Sequence, residues 1–277
     1  MVTSAPIVTS FAAASAIRPD GEARYAWEVP DGWQQGKGAF GGLVLGTLLR
    51  AMEACEADPA RRVRSLSGEI PAPVVAGPTT IEVEVLRRGG GTTFLSARAR
   101  QAGATVARAS ALLAASRPPG AARIGAAPPR LPPFDRGVEV PPPPVGAGAP
   151  RFTVRYEYRP EPPYPYSGAA EAGATGWLRA RPGAGAAPAA LDAPAIIGLL
   201  DAWWPAALAC ERTPRRMTTV TFMAELLVDP ASLDPAAPFA YRARLDGAAD
   251  GFSVEVRELW QGDALVALNQ QVFAVLG

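Results

Sequence analysis

The 277-residue chain contains no histidine. Ser-His-Asp and Cys-His hydrolases, His-ligated zinc sites and His-based hydratases each need an imidazole, so none of them can be built here. Lysine is almost as scarce. Lys37 stands alone among 27 basic residues, and these face 26 acidic ones for a formal net charge of +1. That balance offers no field to hold a polyanion by counterion release and argues against nucleic acid as a partner. The two cysteines, Cys55 and Cys210, are too few for a disulfide framework or a zinc site and are expected as small core residues near helix ends. No apolar run is long enough for a membrane span, and the first residues lack the basic start of a signal segment. A reducing cytoplasm is the expected compartment. The Gly89-Gly90-Gly91 run lacks the Lys-Ser/Thr of a phosphate loop, and no motif requires a cofactor or a metal.

What remains is an apolar fraction of 48%, enough for a sizeable core. Proline is concentrated in the middle of the chain, where SRPPGAARIGAAPPRLPPFDRGVEVPPPPVGAGAP can feed neither a ladder nor a helix. The expected organisation is therefore a first unit over residues 1–116, an extended linker over 117–150 and a second unit over 151–277.

The two units repeat each other. GGLVLGTLLRAMEACEADPARR in the first and IIGLLDAWWPAALACERTPRR in the second are apolar helical patterns, each closing on Ala-Cys-Glu, a proline and an arginine pair. After each come segments with period-two stretches, such as Ile81, Val83 and Val85, joined by glycine turns. Further strands are expected at ARYAWEVP before the first helix, and at RFTVRYEYRP and GWLRARPG before the second. One long apolar helix followed by an antiparallel meander must be wrapped by that sheet, or its apolar surface would face water. The fold class is α+β, one central helix in a curved sheet, twice.

This layout resembles the hot-dog fold in two tandem copies, as in the double hot-dog acyl-CoA thioesterases of the thioesterase II type. Phe40-Gly41-Gly42 resembles the family's helix start, with Trp33 just before it. Trp177-Leu178-Arg179 resembles the Trp-x-Arg strand, and Leu200-Asp201-Ala202 with Pro205 the Asp-bearing helix of the second copy. The chain departs from the pattern at Phe40, Arg64 and Glu225, where relatives often carry histidine.

Asp201 interrupts an otherwise apolar helix, where an unpaired carboxylate would cost several kcal/mol. Pro205 has no N–H for the Asp201 carbonyl, so the helix is expected to open or bend there. The residues alone leave two readings, a partly exposed Asp beside a kink or a reactive carboxylate. Aligned on the helices and strands, Asp201 falls opposite Gly46, Thr219 opposite Ser65 and Gln271 opposite Ala111. The resemblance implies that Asp201, Thr219 and Gln271 hold and activate a water, with Gln270 and Thr218 or Thr221 as the neighbouring alternatives. It also implies an acyl-CoA or acyl-carrier thioester as partner, and homo-oligomers are common in the family. Gly41 and Gly42 would let substrate approach backbone N–H groups, and Trp204 would line an acyl pocket, plain packing being the alternative for all three. A non-hydrolytic acyl-thioester-binding or tailoring protein, or a scaffold that lost the chemistry, are the rival functions.

Overall fold

The computed structural model describes residues 9–118, 125–141, 149–181 and 188–276. In the first half, helix α1 (Phe11–Ala14) precedes strands β1 (Ile17–Pro19), β2 (Arg24–Val29), β3 (Gln34–Gln35) and β4 (Gly38–Ala39). Helix α2 (Gly41–Cys55) follows, then the meander β5 (Arg62–Glu69), β6 (Gly77–Arg88), β7 (Thr92–Gln101) and β8 (Ala104–Ala114). The second half repeats this plan with β9 (Tyr156–Glu161), β10 (Gly173–Ala180), helix α3 (Ala193–Asp201), β11 (Arg216–Leu226), β12 (Phe239–Ala249), β13 (Phe252–Gln261) and β14 (Ala264–Leu276).

The meanders close through tight turns. Ala102-Gly103 and Asp250-Gly251 link their strands with both residues at positive φ, the backbone that matches the twist of a two-residue hairpin. The two meanders then fuse, because β5 pairs antiparallel with β11 and sets Ser67 opposite Met223. One twelve-stranded sheet results, in the order β1-β2-β6-β7-β8-β5-β11-β14-β13-β12-β10-β9.

Helix α2 is buried without a break from Gly42 to Leu49, so its apolar residues on every side are used. The hydroxyl of its one buried polar residue in that run, Thr47, donates to the Leu43 carbonyl at 2.7 Å. Helix α3 starts on Asp192, whose carboxylate accepts from the Ala195 N–H at 2.8 Å, with Pro194 in the first turn. The helices of the two halves touch. A Cβ on Gly46 would lie 2.8 Å from the Pro194 carbonyl oxygen, and the Phe11 ring occupies the space that side chains on Gly46 and Gly198 would need. The architecture is a tandem hot dog whose two helices pack on each other inside a shared sheet.

Four expectations need correction. The second helix is not long: α3 stops at Asp201, and a 3-10 turn over Ala206–Ala209 follows Pro205. The expected strand over 151–160 begins only at Tyr156, because Arg151–Arg155 forms another 3-10 turn. Cys210 is exposed at the end of the turn after Pro205, and only Cys55 packs against the core, half-buried at the end of α2. Because the second helix is broken, the Ala-Cys-Glu motif is a false register mark for the repeat. Structural landmarks give another register. The N-caps Phe40 and Asp192 correspond, and so do the Phe11-contacting glycines Gly46 and Gly198, which sets Asp201 opposite Leu49 rather than Gly46. Bulges at Arg64 in β5 and Val220 in β11 correspond too, which sets Thr219 opposite Val63 rather than Ser65. Gln271 stays opposite Ala111, since the two face Phe222 and Leu66 respectively.

Candidate active site

The break after Asp201 leaves backbone carbonyls without helical partners, and side chains of the surrounding sheet satisfy them. Arg257 on β13 donates to the Leu200 carbonyl at 3.0 Å, and the Tyr158 hydroxyl on β9 donates to the Ala202 carbonyl at 2.8 Å. On the far side of Pro205 the Ala206 N–H donates to Glu255 at 2.7 Å. Glu255 and Arg257 are both fully buried and bonded to each other, Nε to Oε1 at 2.6 Å. This ion pair spans the break in the helix, its cation on the carbonyl before the break and its anion on the N–H after it.

The break brings Asp201 to the end of α3, against the start of α2 from the other half. A Cβ on Gly41 would lie 2.8 Å from Asp201 Oδ2, and one on Gly42 would lie 3.0 Å from Asp201 Cβ. Only glycine allows this approach. Phe40, the N-cap of α2, supplies no side-chain cap, so the carboxylate of the opposite half faces uncapped backbone N–H groups.

The other side of Asp201 belongs to the sheet. Gln271 Nε2 donates to Asp201 Oδ1 at 3.0 Å and to Asn269 Oδ1 at 2.9 Å, while the Thr219 hydroxyl donates to Gln271 Oε1 at 3.2 Å. Asn269 is anchored in turn by donating to the Met223 carbonyl at 2.7 Å. The bulge at Val220 makes this possible: it shifts the register so that Thr219 stands opposite Phe273, on the inward face that also carries Gln271 and Asn269. Gln270, Thr218 and Thr221 are exposed. Trp204 is half-buried and packs beside Trp203 and Tyr158, with ring centroids 4.9 and 5.9 Å away. The positions matching Asp201, Thr219 and Gln271 in the first half are Leu49, Val63 and Ala111, all buried and apolar. The polar cluster exists in one copy only.

Burial raises the Asp201 carboxyl from its ordinary 3.8 to about 6, and Glu255 adds to the rise. The positive charge of Arg257, 3.9 Å from Oδ1, the Gln271 amide and the Gly42 N–H act in the opposite direction. A carboxylate near neutrality, held on one oxygen by an amide and facing a helix start with the other, can accept a proton from a water and place it.

Residues 29–114 match the family of acyl-CoA thioesterase N-terminal domains, and residues 128–275 that of acyl-CoA thioesterase C-terminal domains. The chain therefore belongs to the acyl-CoA thioesterase family, as a double hot-dog protein of the thioesterase II type. Among solved structures it is similar to a hot-dog protein of unknown function from Alicyclobacillus acidocaldarius, at 23% identity and a TM-score of 0.86 over 96% of this chain and 98% of that one. A protein of Thermobifida fusca YX assigned as a thioesterase II is similar at 25% identity and a TM-score of 0.83 over 99% of both chains. An acyl-CoA thioesterase II from Mycobacterium marinum aligns at 19% identity and a TM-score of 0.74 over 96% and 98% of the two chains. No curated protein matches the sequence.

Asn269, Glu255, Arg257 and Tyr156 surround the cluster without having been singled out in the sequence. Asn269 carried a signal, since it sits two residues before Gln271 and so on the same strand face. Glu255 and Arg257 carried a misleading one. In Ser253-Val254-Glu255-Val256-Arg257 the charges turn inward and the valines stay half-buried, the reverse of the usual alternation.

Proposed function

We propose that this protein hydrolyses acyl thioesters of CoA, or of a carrier protein, with Asp201 as general base and Thr219 and Gln271 orienting the attacking water. The observation that carries this reading is the hydrogen-bonded chain Thr219–Gln271–Asp201 set against the glycine start of α2. Gln271 occupies Oδ1 of the carboxylate, so Oδ2, beside Gly41, is the oxygen that takes the proton. The Thr219 hydroxyl spends its hydrogen on Gln271 and keeps its lone pairs for a hydrogen of the water. As water adds to the thioester carbon, the carbonyl electron pair moves onto oxygen, where the Gly41 N–H at the start of α2 stabilises it. Collapse of this intermediate breaks the carbon–sulfur bond, and the proton held by Asp201 passes to the departing thiolate. A thiolate is a good leaving group, so this step needs neither a covalent intermediate nor an imidazole. The free thiols of Cys55 and Cys210 are consistent with the cytoplasm as its place of action.

The test is release of free thiol from short, medium and long acyl-CoAs by wild type and Asp201→Asn. The variant is expected to lose a factor of about 100 to 10,000 in kcat/KM. For the wild type, kcat/KM should climb about tenfold per pH unit below the Asp201 pKa of about 6 and level off above it. Absence of turnover in the wild type, or an Asn variant as fast as wild type, refutes the reading. Tight acyl-CoA binding without turnover would favour a binding protein instead.

A further inference from the structure

Three tyrosines surround the broken end of α3, and the structure accounts for two of their hydroxyls. Tyr158 donates to the Ala202 carbonyl at 2.8 Å, and Tyr241 reaches the Leu200 carbonyl at 3.5 Å. The third is Tyr156, the first residue of β9. Its side chain is buried, 3% exposed, and its hydroxyl has no partner among the described residues. A buried hydroxyl left unpaired costs about 1 to 3 kcal/mol, so such a group in a native protein calls for a specific reason.

Its surroundings supply one. The Tyr156 ring lies edge-on to Phe40 with centroids 6.3 Å apart, and Phe40 is the residue directly before Gly41-Gly42. It lies equally far, 6.3 Å, from the ring of Tyr158, whose hydroxyl holds the residue directly after Asp201. The phenol is thus bracketed by the two chain segments that meet at the Asp201 carboxylate. Burial and the Asp201 charge both keep its proton on, so it remains a donor at every working pH.

We infer that the Tyr156 hydroxyl donates a hydrogen bond to the acyl carbonyl oxygen of the bound thioester, a role that rests on the hydrolytic reading given above. When water adds, the carbonyl pair moves to oxygen and the Tyr156 O–H bond shortens its contact with the growing charge without giving up its proton. The pair returns when the carbon–sulfur bond breaks, and the phenol is unchanged. Tyr156 would thereby complement the Gly41 N–H at the start of α2 and recognise a carbonyl next to sulfur, whatever the chain attached to it.

The experiment uses two uncleavable probes of equal chain length, made with short, medium and long chains. One is an acyl-CoA ketone in which CH2 replaces sulfur and the carbonyl remains. The other is an S-alkyl-CoA, which lacks the carbonyl. Binding of both is measured by calorimetry for wild type and Tyr156→Phe, together with urea unfolding of Tyr156→Phe and Tyr158→Phe. Wild type should bind the ketone about five- to tenfold more tightly than the thioether, the value of one buried hydrogen bond, and Tyr156→Phe should bind the two equally. Tyr156→Phe should unfold at the same urea concentration as wild type or a higher one, whereas Tyr158→Phe, which strips the Ala202 carbonyl of its donor, should unfold earlier. Turnover of acyl-CoA by Tyr156→Phe should fall at least tenfold in kcat. The inference is overturned if wild type does not discriminate the probes or binds neither, if Tyr156→Phe keeps the discrimination, or if it unfolds markedly earlier. Should wild type cleave no acyl-CoA and yet discriminate the ketone through Tyr156, the hydrolytic reading fails and the carbonyl contact stands.

Discussion

The buried Asp201 carboxylate should weaken the fold that holds it, and Asp201→Asn measures by how much. In the folded protein the carboxyl has a pKa of about 6 against an ordinary 3.8, so ionising it is harder in the native state than in the unfolded chain. The folded state binds the proton more tightly, and the stability this contributes is complete below the unfolded pKa and lost as pH rises through the folded one. A rise of about two units corresponds to roughly 3 kcal/mol of penalty at pH 8, shrinking to roughly 1 kcal/mol at pH 4.5. Asparagine has nearly the same shape, can still accept from Gln271 and never ionises. Arg257 keeps Glu255 as its close partner, 2.5 Å away, so it is not left alone by the substitution. The stability of Asp201→Asn relative to wild type should therefore increase by about 2 kcal/mol between pH 4.5 and pH 8, read from urea unfolding at several pH values. The pH-dependent part of the difference is diagnostic, because any cost of repacking the amide is the same at every pH. A difference that stays flat across this range, or that moves against the variant as pH rises, would show that Asp201 is not held above its ordinary pKa and would refute the account of it as a near-neutral base.

Other predictions follow from the same geometry. Glu255→Gln removes the closest anion of the buried Arg257 charge and leaves it only Asp201, 3.9 Å away, so urea unfolding should show a loss of about 3 kcal/mol. Where enough folded protein remains, its pH–rate curve should shift to lower pH, since Glu255 helps to raise the Asp201 pKa. Gly41→Ala puts a methyl 2.8 Å from Asp201 Oδ2 and should cut kcat/KM at least tenfold by moving that oxygen off its line to the water. Gly91→Ala, with nothing within 4 Å of the added carbon, is its control and should leave turnover unchanged.

Much of the scaffold was legible in the sequence because hydrophobic periodicity is a local property. The apolar pattern from Gly41 to Cys55, the alternating strands and the glycine turns all announce themselves over short windows, and α2 and the two meanders follow them closely. The second helix was harder to read, because its apolar pattern runs on through Trp203-Trp204 while Pro205 ends it. The Ala-Cys-Glu motif misleads for the same reason: in the first half it closes an intact helix, and in the second it follows the break.

The sequence by itself determined the chemistry that could be used, since a chain without histidine leaves a carboxylate and neutral hydrogen-bonding groups to do proton transfer. It also set a carboxylate, Asp201, inside the apolar pattern of the second helix. The tertiary structure decided which polar residues meet. The Val220 bulge turns Thr219 to the face of Gln271, and the pairing of halves sets Asp201 against the Gly41-Gly42 start of the other helix. The buried Glu255–Arg257 pair spans the break at Pro205. None of these is a local property. Strand register, helix docking and the desolvation of an ion pair depend on what lies across the sheet, and the chain specifies them only through packing that forms once the whole molecule has folded.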